Sequence, residues 1–104
     1  MEFKQLQQRA AEIRQKYREA EIKKYGKAWT KEQVMQGLIG DIGDLMKLVM
    51  SKEGIRDIED TDNKLAHELS DCLWSIFVLA SEYQIDLESS FLKTMNELEK
   101  RIAI

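Results

Sequence analysis

The chain has 104 residues, 43% of them hydrophobic, with no proline and a formal net charge of -3 from 19 acids against 16 bases. That length supports one domain with a real core, spanning 1–104, and is too short for two. The near balance of charge excludes the broad basic field of a nucleic-acid polymer binder and the acidic tail of a disordered segment.

Residues 3–25 carry Phe3, Leu6, Ala10, Ile13 and Tyr17 at helical spacing among many charges, and Gly26 follows as a stop signal, so an amphipathic first helix is predicted. Its opening, MEFKQLQQRA, lacks the apolar stretch of a secretion signal. Thr30, followed three residues later by Gln33, matches a capping box opening a second helix over about 31–52 that ends before Gly54. Val34, Leu38, Ile42, Leu45 and Val49 form its predicted buried face. Residues 53–63, EGIRDIEDTDN, read as a polar loop, with Thr61 or Asp62 capping a third helix over about 63–83. The acids of this loop lack the mid-loop glycine of an EF-hand.

The second half of the third helix is apolar nearly all round, as expected of a central helix among neighbours. Its longest run, CLWSIFVLA at 72–80, is about half of the ~20 residues that a membrane span needs, so no membrane partner is expected. Cys72 is the only cysteine, which excludes an internal disulfide and suits a small core residue in a cytoplasmic protein. Asp86 can cap a fourth helix whose inner stripe is Leu87, Phe91, Met95, Leu98 and Ile102. The predicted fold class is all-α, a four-to-five-helix bundle.

The chemistry lies in two phrases. In GLIGDIGDL, residues 37–45, Asp41 and Asp44 sit near the core-facing side of the second helix, among three glycines. An ionised carboxylate near a core is costly without a partner, and each helical glycine costs about 1 kcal/mol against alanine. In AHELSDCLW, Glu68 and Asp71 repeat the anomaly three residues apart on the third helix. One such pair is commonplace on a solvated helix face; two, each embedded in apolar sequence, are more specific. Four converging acids repel one another, and a hard divalent cation with oxygen ligands turns that liability into a binding site. Magnesium is the economical choice, because it takes a few carboxylates together with waters and substrate phosphates. The Glu-x-x-His signature of a di-iron bundle is missing, since His67, the only histidine, precedes Glu68. The glycines Gly37, Gly40 and Gly43 would let a helix or a bulky ligand approach the backbone.

Around these acids, Lys47 and Lys64 lie within one turn of Asp44 and Glu68, placed either to reach a triphosphate or to pair with the acids themselves. Trp29 and Trp74 are candidates for stacking a nucleobase, with core packing the expected fate of Trp74. His67 reads as an exposed helix residue, and Cys72 lacks the basic neighbour that would make it a nucleophile.

The phrases GDIGDL and HELSDCLW together resemble those of the MazG-like all-α nucleoside triphosphate pyrophosphohydrolases, which carry an E-x-x-E pair on one helix and an E-x-x-D pair on the next. The resemblance spans roughly residues 3–98. It implies that Asp41, Asp44, Glu68 and Asp71 are the catalytic magnesium ligands, with manganese as a substitute. The implied reaction is hydrolysis of a ribo- or deoxyribonucleoside triphosphate to the monophosphate and pyrophosphate, clearing noncanonical or surplus nucleotides. It also implies a homodimer or homotetramer, with a phosphate contact from Lys93. In such an oligomer the first helix is the expected contributor across the interface, with Phe3, Lys4 or Gln7 facing a neighbour's base pocket. Two departures stand out: both acids of the first pair are aspartate, and the basic residues near Lys93 follow a different spacing without a proline. Two other readings therefore remain: a catalytically weak nucleotide-binding or regulatory module, and a structural helical oligomerisation protein whose acids pair with lysines.

Overall fold

The computed structural model describes residues 1–103, and among them there are four helices and no strand: α1 (Phe3–Tyr25), α2 (Lys31–Lys52), α3 (Thr61–Glu82) and α4 (Leu87–Ile102). Their ends follow from local chemistry. Thr30 closes the expected capping box on α2, its hydroxyl accepting from Gln33 N–H while the Gln33 side chain accepts from Thr30 N–H. Asp86 caps α4 by accepting from Ser89 N–H at 3.2 Å. Gly26 ends α1 at φ 83. Gly54 at φ 79 ends α2, with Ile55 N–H donating back to Met50 O and Gly54 N–H to Ser51 O, the paired bonds of a Schellman turn. The same pair of bonds closes α3, with Gln84 in the left-handed position at φ 57.

The start of α3 differs from expectation. The helix begins at Thr61, and Asp60, in the left-handed region at φ 54, precedes it without a side-chain cap. Thr61 and Asp62 are spent on the preceding turn instead. The Thr61 hydroxyl donates to Ile58 O and meets Ser51 Oγ at 2.7 Å, and Asp62 receives the Lys52 ammonium at 2.6 Å. These contacts tie the end of α2 to the start of α3 and set the phase of the hairpin.

Packing centres on α3. The α2–α3 hairpin carries most of the interhelical contact, and α1 lies across the other side of α3. Val34, Leu38 and Leu48 of α2, Ala10 of α1, and Cys72, Phe77, Val78 and Ala80 of α3 are buried, with Val78 only 2% exposed. The buried face of α2 is thus rotated from the predicted one: it runs through positions 34, 38, 41, 45 and 48, and Ile42 and Val49 lie outside it, with Ile42 50% exposed. The two stripes share Val34, Leu38 and Leu45, and the observed one carries Asp41 where the predicted one has Ile42, so apolar periodicity favours the predicted stripe and does not identify the observed one. The N-terminal turn of α1 is also committed within the chain. Phe3 meets Phe77 edge-on at 5.3 Å, Gln7 donates to Ser81 Oγ and Ile85 O, and Lys4 lies 3.7 Å from Asp86 in an exposed pair.

The stripe of α4 is not buried in the chain. Phe91, Met95, Leu98 and Ile102 are all exposed, Leu87 is half-buried, and α4 makes only marginal contact with any other helix. The radius of gyration, 16.6 Å, exceeds the roughly 13 Å of a compact 100-residue domain accordingly. Replacing Phe77, 5% exposed, by alanine should destabilise the fold by about 3–5 kcal/mol, through lost burial and an unfilled cavity against Phe3. Urea unfolding at constant protein concentration measures that difference.

Candidate metal centre and adjoining cavity

The α2–α3 hairpin explains why two sequence-distant acid pairs meet. In antiparallel helices, residues equidistant from the connecting turn lie level with each other, and Asp44 and Glu68 are nearly equidistant from it, as are Asp41 and Asp71. Carboxylate oxygens of Asp41, Asp44 and Glu68 lie within 4.8 Å of one another. Octahedral magnesium with bonds of about 2.1 Å takes ligand oxygens roughly 3–4 Å apart, a spacing these side chains approach.

Electrostatics say that the group is unfinished. Glu68 Oε1 is buried without a hydrogen-bond partner. Burial pushes the Glu68 carboxyl above its ordinary range, and the charges of Asp41, Asp71 and Asp44 push it further. The nearest cation gives little relief: Lys47 stands 3.9 Å from Asp44, with both side chains more than half exposed. A divalent cation fits this donor set of hard oxygens, one of them orphaned, and would be held by Asp41, Asp44 and Glu68.

Asp71 stands outside this three-acid group. Its carboxylate receives His67 Nε2 at 3.2 Å, and it borders a cavity of about 530 Å³ on the α1 side of the hairpin. Aromatic rings of Tyr17, Trp29 and Trp74 line the cavity, together with Asp41, Asp71 and His67 at the end nearest the acids. Trp74 is half-buried and fixed, its indole N–H donating to Ala10 O at 3.1 Å and its ring 5.7 Å from Tyr17. Trp29 is 48% exposed and presents a ring with open space beside it. Of the other sequence candidates, Lys47 and Lys64 line a shallow recess with Asp44, His67 and Glu68 on the far side of the acids. Lys93 lies on exposed α4. Cys72 is buried, and burial with the neighbouring acids raises its thiol pKa, as expected of an inert core residue.

Sequence reading missed a buried ion cluster beside the cavity. Arg14, its side chain only 8% exposed, forms two parallel bonds to Glu21 at 2.8 and 3.1 Å, and its Nε faces Glu82 at 4.0 Å. Arg18 meets the same Glu82 at 3.2 Å. The Arg14 guanidinium holds the Glu21 carboxyl below the usual range. The signal was present as Arg14, Arg18 and Glu21, spaced by four and three along one helix face.

With this geometry in view, the comparison with known families is direct. Residues 29–103 match the MazG nucleotide pyrophosphohydrolase domain, a span that takes in Trp29, both acid pairs and α4. The chain belongs to the MazG nucleotide pyrophosphohydrolase family, a family of hydrolases. Comparisons with curated proteins and with solved structures return no significant match.

The raised Glu68 carboxyl has a consequence for stability. A carboxyl whose pKa is higher folded than unfolded penalises the fold once ionised, so metal-free protein loses stability as pH rises from the ordinary carboxylate range through the raised value. Glu68→Gln removes that penalty. In chelator at neutral pH the variant should melt at a higher temperature than the parent, and the gap should close on acidification below the ordinary carboxylate range, as followed by circular dichroism.

Proposed function

We propose that the protein is a magnesium-dependent nucleoside triphosphate pyrophosphohydrolase, with manganese as a substitute metal, releasing pyrophosphate and a nucleoside monophosphate. The observation that carries this reading is the unpaired buried oxygen of Glu68 among the carboxylates of Asp41 and Asp44, beside an aromatic-walled cavity, in a chain of this family. When bound, the metal would neutralise charge on the phosphates and lower the pKa of a water. Asp41, Asp44 and Glu68 fix where it sits. Asp71 occupies the border between acids and cavity, the position from which a fourth carboxylate completes the ligand set or orients the attacking water. His67 holds Asp71 in that orientation. Trp29 stacks the base, so that the phosphates run toward the acids. Lys47 and Lys64, on the opposite side, are placed to meet the far end of the triphosphate, and Lys93 is assigned a phosphate contact on the family resemblance.

The chain acts as one domain, 1–104, in a cytoplasmic setting where it removes surplus or noncanonical nucleotides. No helix among the described residues is long and apolar enough to cross a membrane. The working form is a homodimer or homotetramer. Its α4 stripe and the outward residues Ile39, Ile42 and Met46 of α2 and Leu69, Leu73 and Ile76 of α3 form apolar surface that the chain itself leaves uncovered. A second copy carries the same faces and covers them symmetrically. A purely structural role for the acids is disfavoured, because Glu68 forms no ion pair with Lys47 or Lys64 of the neighbouring recess, while burial and the charges of Asp41, Asp71 and Asp44 push its carboxyl up. The slow-binder reading retains one supporting observation, the shorter aspartates of the first pair.

Purified protein with a panel of ribo- and deoxyribonucleoside triphosphates should release pyrophosphate with magnesium or manganese and not in chelator. Glu68→Ala should reduce kcat by more than about 100-fold, beyond the loss typical of groups that merely support metal ligands. Magnesium-dependent nucleotide affinity without pyrophosphate release would convert the assignment to the binding module. In sedimentation velocity the parent should run as a dimer or larger, and Phe91→Glu with Leu98→Glu should shift it toward monomer; a monomeric parent removes the oligomer proposal.

A further inference from the structure

Trp29 is held more tightly than its exposure suggests. Its backbone N–H donates to Glu21 Oε1 at 2.9 Å, and its carbonyl accepts from Arg14 Nη2 at 3.4 Å, so the buried Arg14–Glu21 pair grips the residue on both polar sides of its backbone. The pair itself is bidentate, and Arg14 is further held by the Glu82 carboxylate. The ring is placed by a second device. Trp29 leans against α2 at Gly37, where an added Cβ would stand 3.3 Å from Cζ3 of the indole, tighter than ordinary contact. Gly40 and Gly43, in the same helix, face no neighbour within 4 Å at the corresponding point. Gly37 alone of the three helical glycines is therefore a notch, and what it accommodates is a wall of the cavity. Helix propensity argues against a glycine there, which makes the seating of Trp29 its physical reason.

The geometry points to Gly37 and the Arg14–Glu21 pair as the positioning device of the base site, together holding the Trp29 indole in its stacking pose and setting the width of the cavity for a planar heteroaromatic base. This rests on the nucleotide reading above. None of the three residues needs to touch the reacting phosphates, and the device acts on the base half of the substrate alone. A ligand with phosphates and no base should be indifferent to it.

The test uses two probes in parallel on the full chain: the four common ribonucleosides, followed by quenching of tryptophan fluorescence in chelator, and inorganic tripolyphosphate with magnesium, followed by calorimetry. Gly37→Ala is the main variant, since alanine favours the helix and the fold is preserved. Glu21→Gln, which loosens the grip on the backbone, is the second, with its folding checked by circular dichroism. Both variants should weaken the best-bound nucleoside by about three- to tenfold, the loss expected from a disturbed aromatic stack, while tripolyphosphate affinity stays at the parent value. Unchanged nucleoside affinity in both variants overturns the positioning role and leaves the nucleotide reading intact. Equal weakening of both probes also overturns it, because the effect would then be a general loosening of the fold. A parent that binds tripolyphosphate and no nucleoside defeats the base site itself, and this inference with it.

Discussion

Mutual repulsion of carboxylates across the α2–α3 hairpin is the constraint on which the rest of this structure depends. Asp41 and Asp44 on one helix face Glu68 on the other within 4.8 Å, and Asp71 adds its charge from one turn further on. No packing advantage compensates such a group, since Glu68 is partly buried and one of its oxygens has no partner. The hairpin holds the acids together by means that lie away from them. Schellman turns end both helices, Ser51 meets Thr61, Lys52 meets Asp62, and Leu38 and Leu48 of α2 and Cys72 of α3 are buried. Stability elsewhere sustains a local arrangement that favours a cation, which is the usual economy of a functional site.

The second half of the site is organised by charge of the opposite logic. Beside the cavity, Arg14, Glu21, Arg18 and Glu82 pair in a largely buried cluster, in which Arg14 Nε and Glu82 Oε2 are left without hydrogen-bond partners. Such a cluster adds little stability over an apolar core, but its directional bonds fix geometry. Here they fix the loop between α1 and α2, and with it Trp29. The cavity therefore has carboxylates at one end and, at the other, opposite charges paired so as to position an aromatic ring. A nucleotide has the same polarity, a charged phosphate chain at one end and a planar base at the other.

Much of this was legible in the sequence. Helix order, the caps at Thr30 and Asp86, and the stops at Gly26 and Gly54 rest on short-range signals that tertiary context did not override. The phase of α2 was not legible, because apolar Ile42 and Val49 outweigh Asp41 and Leu48 as a core-facing pattern, and only contact with α3 decides which stripe turns inward. Asp41 consequently lies on the buried face, where the sequence placed Ile42. Arg14 escaped notice because a buried arginine depends on partners seven and sixty-eight residues away. The stripe of α4 was read as an inner face, and its exposure in the single chain follows from a surface that nothing in this chain covers. Gly37 was grouped with Gly40 and Gly43, although only the position of Trp29 separates it from them.

The central claim is that the three converging acids form one divalent-cation site, and calorimetric titration of manganese into chelator-stripped protein tests it most directly. The account predicts a single saturable site per chain that is lost in Asp41→Asn and kept in Glu97→Gln on exposed α4. It also predicts an apparent binding heat that changes with the ionisation enthalpy of the buffer near the raised Glu68 pKa, because the metal displaces a proton there. Absence of saturable binding in the parent, or binding undiminished in Asp41→Asn, would contradict it.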